Sequence, residues 1–298
     1  MKKIFFFTLL VILSFSPSIL FSDNSNGGDL HPRVAVSILP LKYLVEKIAK
    51  EKASVSVMVP PGANPHSFEP KPKELKSIEN ASMYVKVGTP LEFELAWMGK
   101  LILLNPKMMV CDCSKGVPLL NESLKVMSGA MAIDKRGADP HIWTSLKNAV
   151  LMGKDVRDSL VEMDPSNKRF YENNYAQLKK ELESLDIRIK EKLKPFRGSS
   201  FIVIHSAWNY FSHDYGLNEI AIEVGGKEPP ARELEAIIKE AKKEKINVVF
   251  VSPEFSKKSA EVIAKEIGAR TVSADHLAED FPAQVEKIAA EITESYGK

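Results

Sequence analysis

The run DPSNKRFYENNYAQLKKELESLDIRIKEKLKP, residues 164–195, divides this chain in two. Asp164 and Pro165 make an N-cap and first-turn pair: an Asp side chain accepts from free first-turn N–H groups, and Pro has no N–H to lose there. Leu178, Leu182, Leu185, Ile189 and Leu193 then recur at steps of three or four, the single apolar stripe of an amphipathic helix. Pro195 ends it. From Pro165 to Lys194 such a helix is roughly 45 Å long at about 1.5 Å per residue. That length runs along two lobes, as a stiff connector and not a flexible hinge.

Working outward, strands and helices alternate on both sides. Before the connector, RVAVSIL (33–39), ASVSVMV (53–59), MYVKVG (83–88) and MMVCDC (108–113) read as strands. Helices fall between them, from about 41 to 50 with Leu44, Val45 and Ile48 on one face, and from Pro72 through Ile78. After the connector, FIVIH (201–205), LNEIAIEV (217–224), INVVFV (246–251) and ARTVSA (269–274) are strands, with helices near 231–244, 256–267 and 282–296. Such alternation builds parallel sheets flanked by helices. The expected fold class is α/β: two lobes, each with a mainly parallel sheet, joined by one long connector helix. The expected divisions are a first lobe at 30–160, the connector at 161–197 and a second lobe at 198–298.

A length of 298 residues is at the upper edge of what one hydrophobic core organises, which agrees with two lobes. The 41 basic and 39 acidic side chains are spread throughout, so nothing favours a nucleic-acid partner. Lys2 and Lys3, the apolar run from Ile4 to Phe15 and the small, polar stretch from Ser16 to Gly28 have the pattern of a secretory signal, expected at 1–22. The run is too short to span about 30 Å of hydrocarbon. No Cys follows it, so the mature protein is expected to be exported to the periplasm without a lipid anchor. Cys111 and Cys113 sit at i and i+2, where a disulfide would close a strained ring. They read as two small apolar residues on one strand face, with a soft-metal pair as the alternative.

The chemistry concentrates in His66 (NPHSFEP), His141 (DPHIW), His205 (VIHSAW) and Asp275 (SADHL). His66, His205 and Asp275 follow strands at their carboxyl ends, where doubly wound sheets gather ligands. His141 follows Asp139-Pro140 just before a helix. Candidates from two lobes imply a cleft. Three imidazoles and one carboxylate suit a closed, tetrahedral transition-metal site. Any one of these histidines alone reads as a surface or core residue; their joint placement carries the metal reading. His213 (inside a helix), His276 (beside Asp275) and His31 (in the N-terminal segment) are set aside as ligands. Glu69 and Glu223 lie near the cleft and fit either an orienting role for ligand N–H groups or an ordinary surface role.

The stretches PPGANPHSFEPKPKEL, ADPHIWTSLKNA, VIHSAWNYFSHDYGL, EVGGKEPPARELEAIIKEAKKEKINVVFVSPEFS and GARTVSADHL resemble the solute-binding proteins of bacterial zinc and manganese ABC importers, the ZnuA/TroA-like group. The resemblance covers nearly everything after the signal. It implies a monomer that hands a divalent metal ion to membrane permease and ATPase subunits, with ligands at His66, His141, His205 and Asp275. Relatives with His at the third ligand position tend to bind zinc and those with Glu manganese; here it is His205. Zn²⁺ is therefore the expected solute, which also suits the nitrogen-rich set. A manganese- or iron-specific protein is the alternative, since Asp275 binding through both oxygens would give five-coordination. Two departures stand out. The segment at about 114–138 lacks the histidines that many zinc-specific relatives carry in a loop there, and Ser252-Pro253-Glu254 stands where relatives often have Glu-Pro-Gln.

A secreted zinc hydrolase would need an open coordination position and a general base, often in H-E-x-x-H. That motif is absent, and Glu69 is the only candidate base. No catalytic residue and no organic cofactor are expected. An adhesin is a third reading, disfavoured by the missing anchor signal. Because imidazoles must be neutral to bind metal, affinity is expected to fall below about pH 6.5.

Overall fold

A computed structural model describes residues 31–121, 137–223 and 229–297. The expected signal at 1–22, most of the segment at 114–138 and the end of the run at 217–224 lie outside them. The elements are β1 Arg33–Val36, α1 Leu39–Ala49, β2 Ser54–Val57, α2 Pro72–Glu79, β3 Met83–Lys86, α3 Glu92–Leu104, β4 Met109–Asp112 and α4 Leu146–Met163. They continue with α5 Lys168–Leu193, β5 Ser200–Val203, α6 Asn209–Tyr215, β6 Asn218–Ala221, α7 Ala231–Lys243, β7 Val248–Val251, α8 Lys258–Ile267, β8 Arg270–Ser273 and α9 Phe281–Tyr296.

The strands form two four-stranded sheets, ordered β2-β1-β3-β4 and β6-β5-β7-β8, with every pairing parallel. In each lobe the first strand lies inside, with the second on one flank and the third on the other. The topological switch points therefore fall between β1 and β3 and between β5 and β7, and a ligand crevice opens at their carboxyl ends. The strands are shorter than the apolar runs that announced them. RVAVSIL ends as a strand at Val36 because Pro40 starts α1 in its first turn.

The connector differs in detail from the expected continuous helix. Its α-helical part is α5, 26 residues and about 39 Å long, flanked by 3₁₀ turns at Pro165–Asn167 and Lys194–Phe196. Asp164 collects side-chain donors from Ser166 Oγ at 2.5 Å, Asn167 Nδ2 at 2.7 Å and Tyr171 Oη at 2.8 Å, and so holds the break between α4 and α5. The expected stripe is buried along α5. It packs on α1 and α4 from the first lobe and on α9 from the second, and Asn174 Nδ2 donates to Ile48 O of α1 at 3.0 Å.

One hydrophobic cluster runs from Val36 and Leu44 through Val156, Leu182 and Ile189 to Val203, Phe250 and Ile288, without a gap at the lobe boundary. The opposite face of the second sheet, with Ile202, Ile204, Val249 and Val251, packs separately under α7 and α8. The period-two alternation of β5 thus divides Phe201 and Val203 from Ile202 and Ile204. Buried bonds also cross between the halves: Trp143 Nε1 donates to His276 O at 2.7 Å, and Tyr210 Oη donates to Asp139 O at 3.0 Å. Cys111 and Cys113 are buried free thiols. Gly88 has φ +88°, and a Cβ there would sit 1.8 Å from Asp112 Oδ1, so the chain needs glycine two residues beyond β3. Among the described residues no helix is long and apolar enough to cross a membrane.

Candidate metal centre

Each histidine of the candidate set sits on a loop fixed by its own local bonds. His66 lies between β2 and α2, where its N–H donates to Asn64 Oδ1 at 2.8 Å and Phe93 N donates to Pro65 O at 3.2 Å. His141 immediately precedes a 3₁₀ turn at Ile142–Thr144. Thr89 Oγ1 donates to the neighbouring Pro140 O at 2.9 Å. His205 lies two residues beyond β5, in a loop whose Ile204 N donates to Phe250 O at 3.1 Å.

These loops bring three imidazoles to one point. Nε2 of His66 is 3.3 Å from that of His141 and 3.1 Å from that of His205, and the last two are 3.2 Å apart. The opposite nitrogens face carboxylates. Asp139 Oδ1 lies 2.8 Å from His141 Nδ1, Glu92 Oε2 lies 2.6 Å from His66 Nδ1, and Glu223 Oε2 lies 3.8 Å from His205 Nδ1. Carboxylates on Nδ1 hold the proton there and leave lone pairs on Nε2. Three lone pairs converging at this spacing repel one another unless a cation lies among them. A tetrahedral ion with metal–nitrogen bonds of about 2.0–2.1 Å has nitrogen–nitrogen edges of about 3.3–3.4 Å. The triangle is therefore already one face of such a tetrahedron.

Burial reinforces that chemistry. His141 is 2% exposed, and burial, with the neighbouring His205 and His66, pushes its pKa well below the ordinary imidazole value. Burial also lowers His205, partly opposed by Glu223, and raises Asp139 to about 6. His66 is held by Glu92, whose own pKa is lowered: the His66 contacts outweigh the opposing effect of burial. The ring of His205 stacks on Phe255 at 4.5 Å between centroids, and Trp143 lies edge-on to His141 at 5.3 Å. Neutral rings between aromatic walls, backed by negative charge, suit a divalent cation.

Asp275 stands apart from this cluster. Its carboxylate does not join the mutual 4.8 Å grouping of the three histidines and falls instead with Glu254 and His276. His213 is an exposed residue of α6. Glu69 is exposed, and of the two acids named from the sequence Glu223 is the one recorded beside a histidine of the triangle, His205. Glu92 and Asp139 do the work sequence reasoning missed. Asp139 had a local signal, since a carboxylate two residues before His141 can accept from both its backbone N–H (2.9 Å) and its ring. Glu92 had none, because it opens α3, far along the chain from His66.

The family model for the periplasmic zinc-uptake complex component A, ZnuA, matches residues 34–295. The high-affinity zinc uptake system protein ZnuA of Bacillus subtilis is 29% identical over 268 residues, 88% of this chain and 83% of that protein. The zinc-binding lipoprotein AdcA of Streptococcus pneumoniae is 28% identical over 91% of this chain, which spans 54% of AdcA. The metal ABC transporter substrate-binding lipoprotein SloC of Streptococcus mutans is 27% identical over 90% of this chain and 87% of its own length. A crystal structure of ZnuA superposes with a TM-score of 0.81 at 38% identity, covering 89% of this chain and 98% of that one. These are binding components of uptake systems and not enzymes. The chain belongs to the ZnuA family of periplasmic metal-uptake components.

Proposed function

We propose that the chain captures Zn²⁺ between two lobes, 30–160 and 198–298, and delivers it as a monomer to the permease and ATPase subunits of an ABC importer. His66, His141 and His205 supply three ligands, and Asp275 swings in as the fourth. The observation that carries this reading is the triangle of Nε2 atoms, 3.1–3.3 Å on a side. A closed set of four protein ligands leaves no coordination position for a reacting water, so the ion is held for transfer.

Manganese is the competing solute, and SloC carries only the word metal in its name. Nitrogen donors favour zinc, because manganese prefers more oxygen and higher coordination. Metal analysis of protein purified without added metal, followed by Zn²⁺/Mn²⁺ competition, tests this directly. Zinc is expected to displace manganese at equal supply, and the reverse order would refute the assignment. His205→Glu is expected to move the preference toward manganese.

A further inference from the structure

We propose that the outward face of α3 pairs with the same face of a second copy of this chain, antiparallel, about a two-fold axis at Gly99. Among the described residues seven large apolar side chains are exposed, and four belong to this one helix: Leu103 at 80%, Leu95 at 70%, Leu104 at 46% and Ile102 at 43%. The inner face buries Phe93, Glu94 and Leu101. The outer face carries Leu95, Ala96, Gly99, Ile102 and Leu103, all exposed, and these lie within about 120° of one another around the axis. A helix apolar on both sides is one that is covered on both.

The order of that face identifies the cover. Its five positions are spaced one, three, three and one residues apart, so the face has the same spacing read from either end. Laid antiparallel on a copy of itself, Leu95 meets Leu103 of the second copy and the small Ala96 meets Ile102. A two-fold interface requires such self-complementarity; a different protein does not. Gly99 is a separate observation. Glycine is the poorest helix former after proline, and a Cβ here would meet nothing within 4 Å. The chain's own packing gives no reason for it, whereas close approach of a second backbone does. Toward the ends, the same alignment brings exposed Glu92, seven residues before Gly99, alongside exposed Lys107, eight residues after it. Those charges are opposite. A lipid surface fits less well, because it calls for a row of basic residues beside the apolar face. The single basic residue of α3, Lys100, lies over the Trp97 ring at 4.1 Å.

The patch is small beside the total of about 1,200 Å² at which stable interfaces begin, so pairing is weak and depends on concentration. The monomer remains the delivering form. Glu92 holds His66 at 2.6 Å, so covering Glu92 restrains the His66 loop, and the paired form releases its ion more slowly. That consequence alone rests on the three-histidine reading.

Sedimentation equilibrium of metal-stripped protein over about 1–500 μM tests the pairing in wild type, Leu95→Lys, Leu103→Lys and Ile187→Lys, the last at an exposed apolar position of α5. Wild type and Ile187→Lys are expected to rise toward twice the chain mass, and the two α3 variants to pair about tenfold or more weakly. With copper phenanthroline in air, Gly99→Cys should form an intermolecular disulfide. Leu103→Cys should not, since the two copies of that position are offset by about 12 Å along the pair. Wild type, whose two thiols are buried, gives the background. A wild type that stays monomeric, α3 variants that pair like wild type, or a crosslink at 103 and not at 99 overturns the pairing. A monomeric wild type that floats with phosphatidylglycerol vesicles gives the face to a membrane and also overturns it. Zinc transfer from wild type to a chelator should slow at least threefold from the dilute to the concentrated end, and not in Leu103→Lys. Equal rates overturn the link to release and leave the pairing, whereas failure to bind zinc overturns the three-histidine reading instead.

Discussion

Asp139→Asn should separate holding the ion from holding the fold. One oxygen of Asp139 receives both the His141 backbone N–H at 2.9 Å and the ring Nδ1–H at 2.8 Å, in a side chain 2% exposed. An Asn oxygen can keep both bonds, so the loop should stay in place, but the negative charge is lost. That charge sits roughly 7 Å from an ion bound at Nε2. Coulomb's law with an effective dielectric of about 20 then sets an upper bound of about 5 kcal/mol for a divalent ion. Replacing a carboxylate that orients a ligand typically costs 10- to 100-fold in affinity, so about 2 kcal/mol, or roughly thirtyfold, is expected. Asp139→Ala removes the acceptor as well and orphans two buried donors at about 1–3 kcal/mol each. It should therefore also lower the melting temperature of the metal-free protein. Competition with a chromophoric chelator measures affinity, and melting of stripped protein measures the fold. Zinc affinity in Asp139→Asn within twofold of wild type would refute the argument that this carboxylate tunes the ligand.

Two further predictions concern buried acids. Glu94 Oε1 accepts from Ser37 Oγ at 2.6 Å and Val87 N at 2.7 Å, and Oε2 accepts from Gly88 N at 3.0 Å. Glu94→Gln must turn an NH₂ toward at least one of these donors. It should lose about 2–3 kcal/mol of stability by denaturant unfolding, and an unchanged midpoint would refute this. Burial, with the nearby Asp139, pushes Glu219 up to about 8, only partly offset by hydrogen bonds from Trp208 N–H, Ser206 and Ala207 N–H. Between its unfolded value of 4.5 and about 8, the folded state holds a proton that the unfolded state has released, so stability falls as pH rises through that window. Glu219→Gln removes the penalty. Its advantage over wild type should grow from near zero at pH 4.5 to roughly 3 kcal/mol at pH 7. Melting curves at several pH values check this, and an advantage independent of pH would refute it.

The architecture was legible because it is written in periods. The stripe Leu178–Leu193 and the short apolar runs announced α5 and the strands. Strand ends were overestimated because apolar burial continues past the last ladder bond into the loops that line the cleft. The three histidines were singled out by their places at loop positions next to strand ends and a turn. What surrounds them was not, because orienting contacts depend on where a loop lands: Glu92 meets His66 only after β3 and α3 have packed. The expected pH limit near 6.5 took each imidazole at its ordinary value, whereas burial lowers His141 and His205, and burial depth is not visible in a sequence. The side chain beside Asp275 was equally hidden, since Glu254 reaches it only through the pairing of β7 with β8.

The same contacts say where the site can open. Swinging the lobes apart would break Trp143–His276 and Tyr210–Asp139, both buried. Each bond exchanged for water in this way costs about 0.5–1.5 kcal/mol. It would also split a hydrophobic cluster continuous from Val36 to Ile288. Moving the His66 loop requires less. His66 is the most exposed of the three histidines at 19%, against 13% for His205 and 3% for His141, and its partner Glu92 is 46% exposed. Water can take over the His66–Glu92 bond when it loosens, and of the core only the packing of Ala63 and Phe68 at its edge is touched. With α5 rigid along both lobes, the lower-cost route for an ion into or out of the triangle is past His66, while His141, backed by Asp139, stays fixed as the floor of the site.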